Sequence, residues 1–249
     1  MEFFRALSLL TLIPAPKEDN TVPSEPGRMI AWFPLVGAVI GGLLLFFHGI
    51  MAFLFQPMLS RGLLLVFWII LTRGFTLNSF GWTFSISGNR SIPEKGLHME
   101  GTMVDGTGIL AMICIFLVKF AALSELQWQF FSKALILAPI LGRWGMVLAI
   151  RFFPPASHDE TGDIPVTMCS NREFFIASAT AAILAVLLSG FYGFFFLAVC
   201  GGMILLISWG VTKTFGGLSV ESRGALCETG EVISLLAANF IMKLFLSGY

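Results

Sequence analysis

The chain has 249 residues, 56% of them hydrophobic and only 12% charged, where an ordinary soluble domain carries roughly 25% charge. With a mean hydropathy of +0.86, that much apolar surface cannot be wrapped inside one water-facing core, and a polytopic membrane protein is the expected class. Fifteen basic and fifteen acidic residues cancel, so the balance points to the lipid bilayer and to no nucleic-acid partner.

The opening MEFFRALSLLTLIPAP has an apolar run cut short by Pro14 and Pro16, which predicts an amphipathic helix lying on the membrane rather than a signal peptide. Residues 29–60 are uncharged and hold one long crossing, with Gly37 and Gly41 in the GxxxG spacing that lets helices approach closely. A second crossing is expected over 62–81 with Arg73 inside it, a third over 106–124 with Lys119, and a fourth over 133–153 with Arg143. The uncharged run from 174 to 212 is too long for one crossing, and SGFYG at 189–193 is turn chemistry that divides it in two. A last crossing over 231–246 gives about seven transmembrane helices in an all-α bundle, read as a single membrane domain over 1–249. Cys114, Cys169, Cys200 and Cys227 show no CxxC spacing and read as small core residues.

Alternating the loops between two sides puts Arg5, Lys17, Arg28, Arg73, Arg90, Lys95, Arg151, Arg172, Lys213 and Arg223 with the N-terminus, and Arg61 and Lys133 opposite. The N-terminus is therefore expected in the cytoplasm, at a cell inner membrane. Fourteen of the fifteen acids fall on the same face, all but Glu125. A transporter needs polar groups along a path reached from both sides, whereas an enzyme acting on a water-borne substrate needs them on one.

Charges inside crossings are costly and usually face an interior or a cavity. Arg143, in LGRWGM, offers a guanidinium suited to clamping a phosphate. Arg73 lies nearer the end of its crossing, and Lys119, in VKFAAL, has no partner among its sequence neighbours and reads as structural. The segment FGGLSVESRGALCETGE at 215–231 is expected to be a cytoplasmic loop: Gly216 and Gly217 permit a tight turn, and Glu221, Glu228 and Glu231 share a face if helical, with Gly230 counting against an unbroken helix. Carboxylates clustered at an interface suit a hard cation held jointly with substrate phosphates. Acids at a helix start are equally explained by the macrodipole. His48 reads as packed, His98 and His158 as loop residues.

FPLVGAVIGG at 33–42, LGRWGM at 141–146 and the 215–231 segment, together with ALSLLTLIPAP near the start, resemble the cobalamin synthase family, the adenosylcobinamide-GDP ribazoletransferases, over essentially the whole chain. The resemblance implies a phosphotransferase of cobalamin biosynthesis: a hydroxyl of alpha-ribazole or its 5'-phosphate attacks adenosylcobinamide-GDP and GMP leaves, with magnesium as cofactor. With that activity in view, catalytic roles are expected for Arg143, Glu228 and Glu231, substrate binding for Arg73, Arg90, Lys95, Arg223, Gly216 and Gly217, and metal binding for Glu221, Glu228, Glu100 and Asp105. Corrinoid-nucleotide and ribazole substrates are the implied partners, with a homo-oligomer or other cobalamin-pathway proteins beside them. The chain departs from the family in two segments. Where the family has a segment resembling GGxHxDGLxDxxDG, this chain reads RGFTLNSFGWTFSIS, with Thr76 at the His and Asn78, Trp82 and Ser85 at the three Asp positions. A segment resembling KDSRxGxxG is here EGTMVDGTG, with Glu100, Gly101 and Met103 at its Lys, Asp and Arg. Either Glu94, Glu100 and Asp105 take over the metal together with Glu221, Glu228 and Glu231, or the chain is a relative without the transferase reaction that binds a corrinoid or supports a partner protein; a small-molecule transporter is the third reading.

Overall fold

The computed structural model describes residues 1–14, 26–88, 104–156 and 169–247. Those residues form nine α-helices and no sheet: α1 (Glu2–Leu10), α2 (Phe33–Leu54), α3 (Pro57–Leu71), α4 (Phe75–Gly88), α5 (Gly106–Glu125), α6 (Trp128–Phe152), α7 (Asn171–Ser189), α8 (Tyr192–Phe215) and α9 (Val220–Ser247). Six segments are long and apolar enough to cross a bilayer, or seven if the bent pair α3–α4 is counted as one span. The expected multi-pass helical class is what the chain adopts.

Helix α1 is short and amphipathic, burying Ala6, Leu7 and Leu10 while Phe4 stays exposed. The Leu12 amide donates to the Leu71 carbonyl at 2.9 Å and ties the segment after α1 to the end of α3. Helix α2 starts with Pro34 in its first turn, where a missing amide costs nothing. Its Gly37 and Gly41 do lie at a close seam: a Cβ on Gly37 would sit 2.4 Å from the Pro139 carbonyl oxygen, and one on Gly41 2.6 Å from the Ile136 Cα. Helix α6 is therefore gripped backbone to backbone, and it is buried continuously from Leu137 to Arg143.

The second crossing is not the straight segment expected over 62–81. It breaks at Thr72–Gly74 and the two helices diverge by 83°. Arg73 and Gly74 both take left-handed backbone conformations, with φ of 54° and 64°. Glycine adopts such a conformation freely and arginine at some cost. The Gly74 amide closes α3 on the Ile69 carbonyl at 2.7 Å.

The last crossing begins eleven residues before the expected Glu231, because α9 runs unbroken from Val220 through Gly230. Gly216 ends α8 at φ 78°, the usual left-handed helix stop. Ser219 then caps α9 by accepting the Ser222 amide at 3.1 Å. Most of the segment 215–231 is thus membrane helix rather than loop. Its carboxylates Glu228 and Glu231 lie roughly 12 and 16 Å along that helix, at about 1.5 Å per residue. Close packing explains why the glycine does not break it: Gly142 of α6 and Gly230 of α9 meet, a Cβ on Gly230 falling 3.1 Å from the Gly142 Cα.

Candidate functional site: a buried charge centre

Glu228 and Glu231 stand one turn apart on α9, a spacing that puts both on one face. Three other helices converge on them. From α5, the Lys119 Nζ donates to Glu228 Oε1 at 2.6 Å and to Glu231 Oε2 at 2.5 Å. From α4, the Thr76 hydroxyl donates to Glu228 Oε2 at 2.8 Å. From α6, Arg143 Nη1 donates to Glu231 Oε1. The Lys119 ammonium also lies 4.2 Å from the centre of the Trp68 ring of α3, a cation–π contact. Two anions and two cations sum to zero, which is the condition for keeping ionised groups in so dry a place.

Glycines set the distances. A Cβ on Gly142 would fall 2.7 Å from both the Cys227 carbonyl and the Glu231 Cγ, so only glycine lets the α6 backbone close on α9 and bring Arg143 to Glu231. A Cβ on Gly224 would lie 2.4 Å from the Ser79 hydroxyl, so the hydroxyl-rich helix α4 docks on α9 and delivers Thr76 to Glu228. The uncharged stretch TLNSFGWTFSIS is thereby accounted for. Its small hydroxyl side chains allow contact with the charged half of α9 without adding a fifth charge.

Of the residues expected to catalyse, the structure brings Arg143, Glu228 and Glu231 into one network, with each carboxylate already bonded inside the protein. Arg143 and Glu231 are wholly buried, and Arg143 serves Glu231 rather than reaching out to a phosphate. Lys119, without a partner among its sequence neighbours, finds two on another helix: it bridges both glutamates. The pairing joins residues more than a hundred positions apart. The signal for it was nonetheless present, since an in-span lysine must find an anion and α9 holds the acids.

The remaining candidates lie apart from the centre. Arg73 is exposed at the α3–α4 break, and Arg223 is buried in the first turns of α9. Gly216 and Gly217 act as backbone: the first is the helix stop and the second passes 2.4 Å, measured from its would-be Cβ, from the Pro155 carbonyl. Glu221 sits two turns of α9 away from Glu228. Asp105 caps α5, its Oδ1 accepting the Gly108 amide at 2.8 Å and the Thr107 hydroxyl at 2.7 Å. Ser85, at a family Asp position, accepts the Asp105 amide at 3.1 Å, while Asn78 is exposed and Trp82 half-buried. His48 is packed as expected, bonded through Nδ1 to the Ser60 hydroxyl at 3.2 Å. Arg90, Lys95, Glu94, Glu100, His98 and His158 lie outside the described residues. Among the described residues no three His, Cys, Asp or Glu side chains are grouped to hold a metal; of the expected set, Glu221, Glu228 and Asp105 form no such group, and Glu100 lies outside the described residues.

A helical membrane bundle whose interior is organised by a neutral cluster of four charges defines a class, not yet a family. The family comes from comparison. The profile of the cobalamin-5-phosphate synthase family matches residues 2–239, and the chain belongs to that family. It is 31% identical to the adenosylcobinamide-GDP ribazoletransferase of Roseiflexus sp. (strain RS-1), covering 92% of this chain and 86% of that one. It is 30% identical to the enzyme of the same name from Brevibacillus brevis, over 94% of this chain and 96% of that one, and 28% identical to that of Clostridium acetobutylicum, over 97% and 98%. No solved structure matches.

Proposed function

We propose that the chain is an adenosylcobinamide-GDP ribazoletransferase. The observation that carries this reading is likeness to enzymes of that name along more than nine-tenths of both chains for Brevibacillus and Clostridium. In the reaction, a ribazole hydroxyl oxygen forms a new bond to the phosphorus borne by cobinamide, the pyrophosphate P–O bond breaks, and GMP leaves with its electron pair. The hydroxyl proton passes to a base or to water.

The phosphates of such a substrate belong at the N-terminal end of the bundle, where Arg73 is exposed on the break between α3 and α4. Glu228 shares a small cavity with Trp68, Thr72, Thr76 and Lys119 just behind that break. Arg143, Glu231 and Lys119 act as positioning residues, fixing the carboxylate of Glu228 and the seat of α4. The same reading places the chain in the inner membrane with its N-terminus in the cytoplasm. It is supported by Arg5, Arg28, Arg73, Arg151, Arg172 and Lys213 at the N-terminal end against Arg61, Lys133 and Lys243 at the other.

Purified protein in lipid nanodiscs, given adenosylcobinamide-GDP and alpha-ribazole, is expected to release GMP and form the joined cobamide. Arg73→Ala should raise KM more than it lowers kcat, and Arg73→Lys should restore part of the affinity. No GMP from the folded wild-type protein would overturn the reading and leave corrinoid binding as the function to test.

A further inference from the structure

We infer that the Lys119 ammonium is the resident cation of the charge centre, seated where two carboxylates would otherwise take a divalent ion, and that Glu228 and Glu231 do not bind magnesium. The donor set decides this. All four carboxylate oxygens accept a hydrogen bond from the protein: Glu228 from Lys119 and Thr76, Glu231 from Lys119 and Arg143. A magnesium ion demands near-octahedral oxygen ligation and keeps several of its waters. The adjoining cavity offers about 10 Å³, at the lower limit for a single water.

Charge argues the same way. The cluster already sums to zero, and α4, the helix that covers it, carries no carboxylate in FTLNSFGWTFSISG. An entering dication would leave two uncompensated positive charges in a dry interior. Trp68 closes the remaining side of the ammonium with its ring face, which attracts a cation without supplying an anion. The centre is thus built for one monovalent side-chain cation, and its integrity does not depend on metal supply.

The test uses manganese as a paramagnetic stand-in for magnesium, with the full chain in detergent. Its readouts are ion binding and thermal unfolding, so its result is separate from whether GMP is released. Wild-type Tm should be the same in EDTA and in manganese, and any manganese the wild type binds should be retained in Glu228→Gln and Glu231→Gln. Lys119→Ala should gain at least tenfold in manganese affinity and a manganese-dependent rise in Tm, both lost again in Lys119→Ala/Glu228→Gln. Wild-type binding that disappears in Glu228→Gln or Glu231→Gln would overturn the inference, and this arm stands even if Lys119→Ala does not fold.

Discussion

Helix α6 has two close seams, and they use the same device for opposite ends. Toward α2, Gly37 and Gly41 let backbone meet backbone at Pro139 and Ile136, and the gain is dispersion between apolar surfaces, which is what holds helices together where lipid is as apolar as leucine. Toward α9, Gly142 and Gly230 make a similar approach, yet what it brings together is Arg143 and Glu231. The first seam tolerates no added volume. The second tolerates no lost charge. Small residues in a membrane bundle therefore mark proximity, and only the neighbouring side chains tell whether proximity serves packing or electrostatics.

Breaking the second seam should cost most. Glu231→Ala removes the acceptor shared by Lys119 and Arg143 and leaves buried charge unbalanced, a loss of about 3–5 kcal/mol, to be read from unfolding in detergent. Lys119→Met combined with Glu228→Gln removes one cation and one anion together and leaves the Arg143–Glu231 pair. The double variant should be more stable than the sum of the single losses predicts by about 1–3 kcal/mol. Simple additivity would mean that the Lys119 and Glu228 charges are not coupled in the way their contact shows.

Thr76→Val keeps the shape but deletes the hydroxyl that Glu228 accepts, a hydrogen bond to a charged group with a cost of about 1.5–3 kcal/mol. Turnover should fall further than stability, because the carboxylate loses its orientation. On the other seam, Gly37→Leu forces a side chain into the Pro139 carbonyl; overpacking of this kind costs about 1–3 kcal/mol. That loss should appear in Tm while KM for the corrinoid substrate stays unchanged, which separates packing from site.

The smallest effect is expected at the rim, at Asp105. The Thr107 hydroxyl first, then the Gly108 amide and the Ser85 hydroxyl, hold its carboxyl below the ordinary aspartate range. A group whose pKa is lower folded than unfolded contributes stability that is present above its unfolded value, about 3.9, and disappears as pH falls through the folded one. Amide exchange in the first turn of α5 should accelerate over that acid window in the wild type and show no such step in Asp105→Asn.

Hydropathy made the crossings legible because the hydrocarbon thickness imposes a length on every one of them. The turn at 189–193 was legible too: Gly190, at φ 61°, stops α7 as glycine does. GxxxG correctly marked a seam but not its partner, since nothing in the α2 sequence names Pro139. The break at Arg73 was hidden, because arginine gives no hint of a left-handed backbone. At the site, Arg143, Glu228 and Glu231 stood out as charges in or near apolar runs. Lys119 stood out too, but its pairing did not, since its counter-ions lie on a helix that meets α5 only after folding. The early start of α9 was obscured by glycines at 216, 217, 224 and 230 that read as loop and in the fold serve as stop, close passage, α4 seat and α6 seat.

The sharp turn after α3 also sets a depth. Fifteen residues of α3 reach about 22 Å at 1.5 Å per residue, short of the roughly 30 Å of hydrocarbon that a bilayer presents. Lipid meets such a shortfall by thinning or by admitting headgroups beside the protein. A bilayer is therefore expected to draw its headgroups toward the break, where the Arg73 side chain is exposed to meet them.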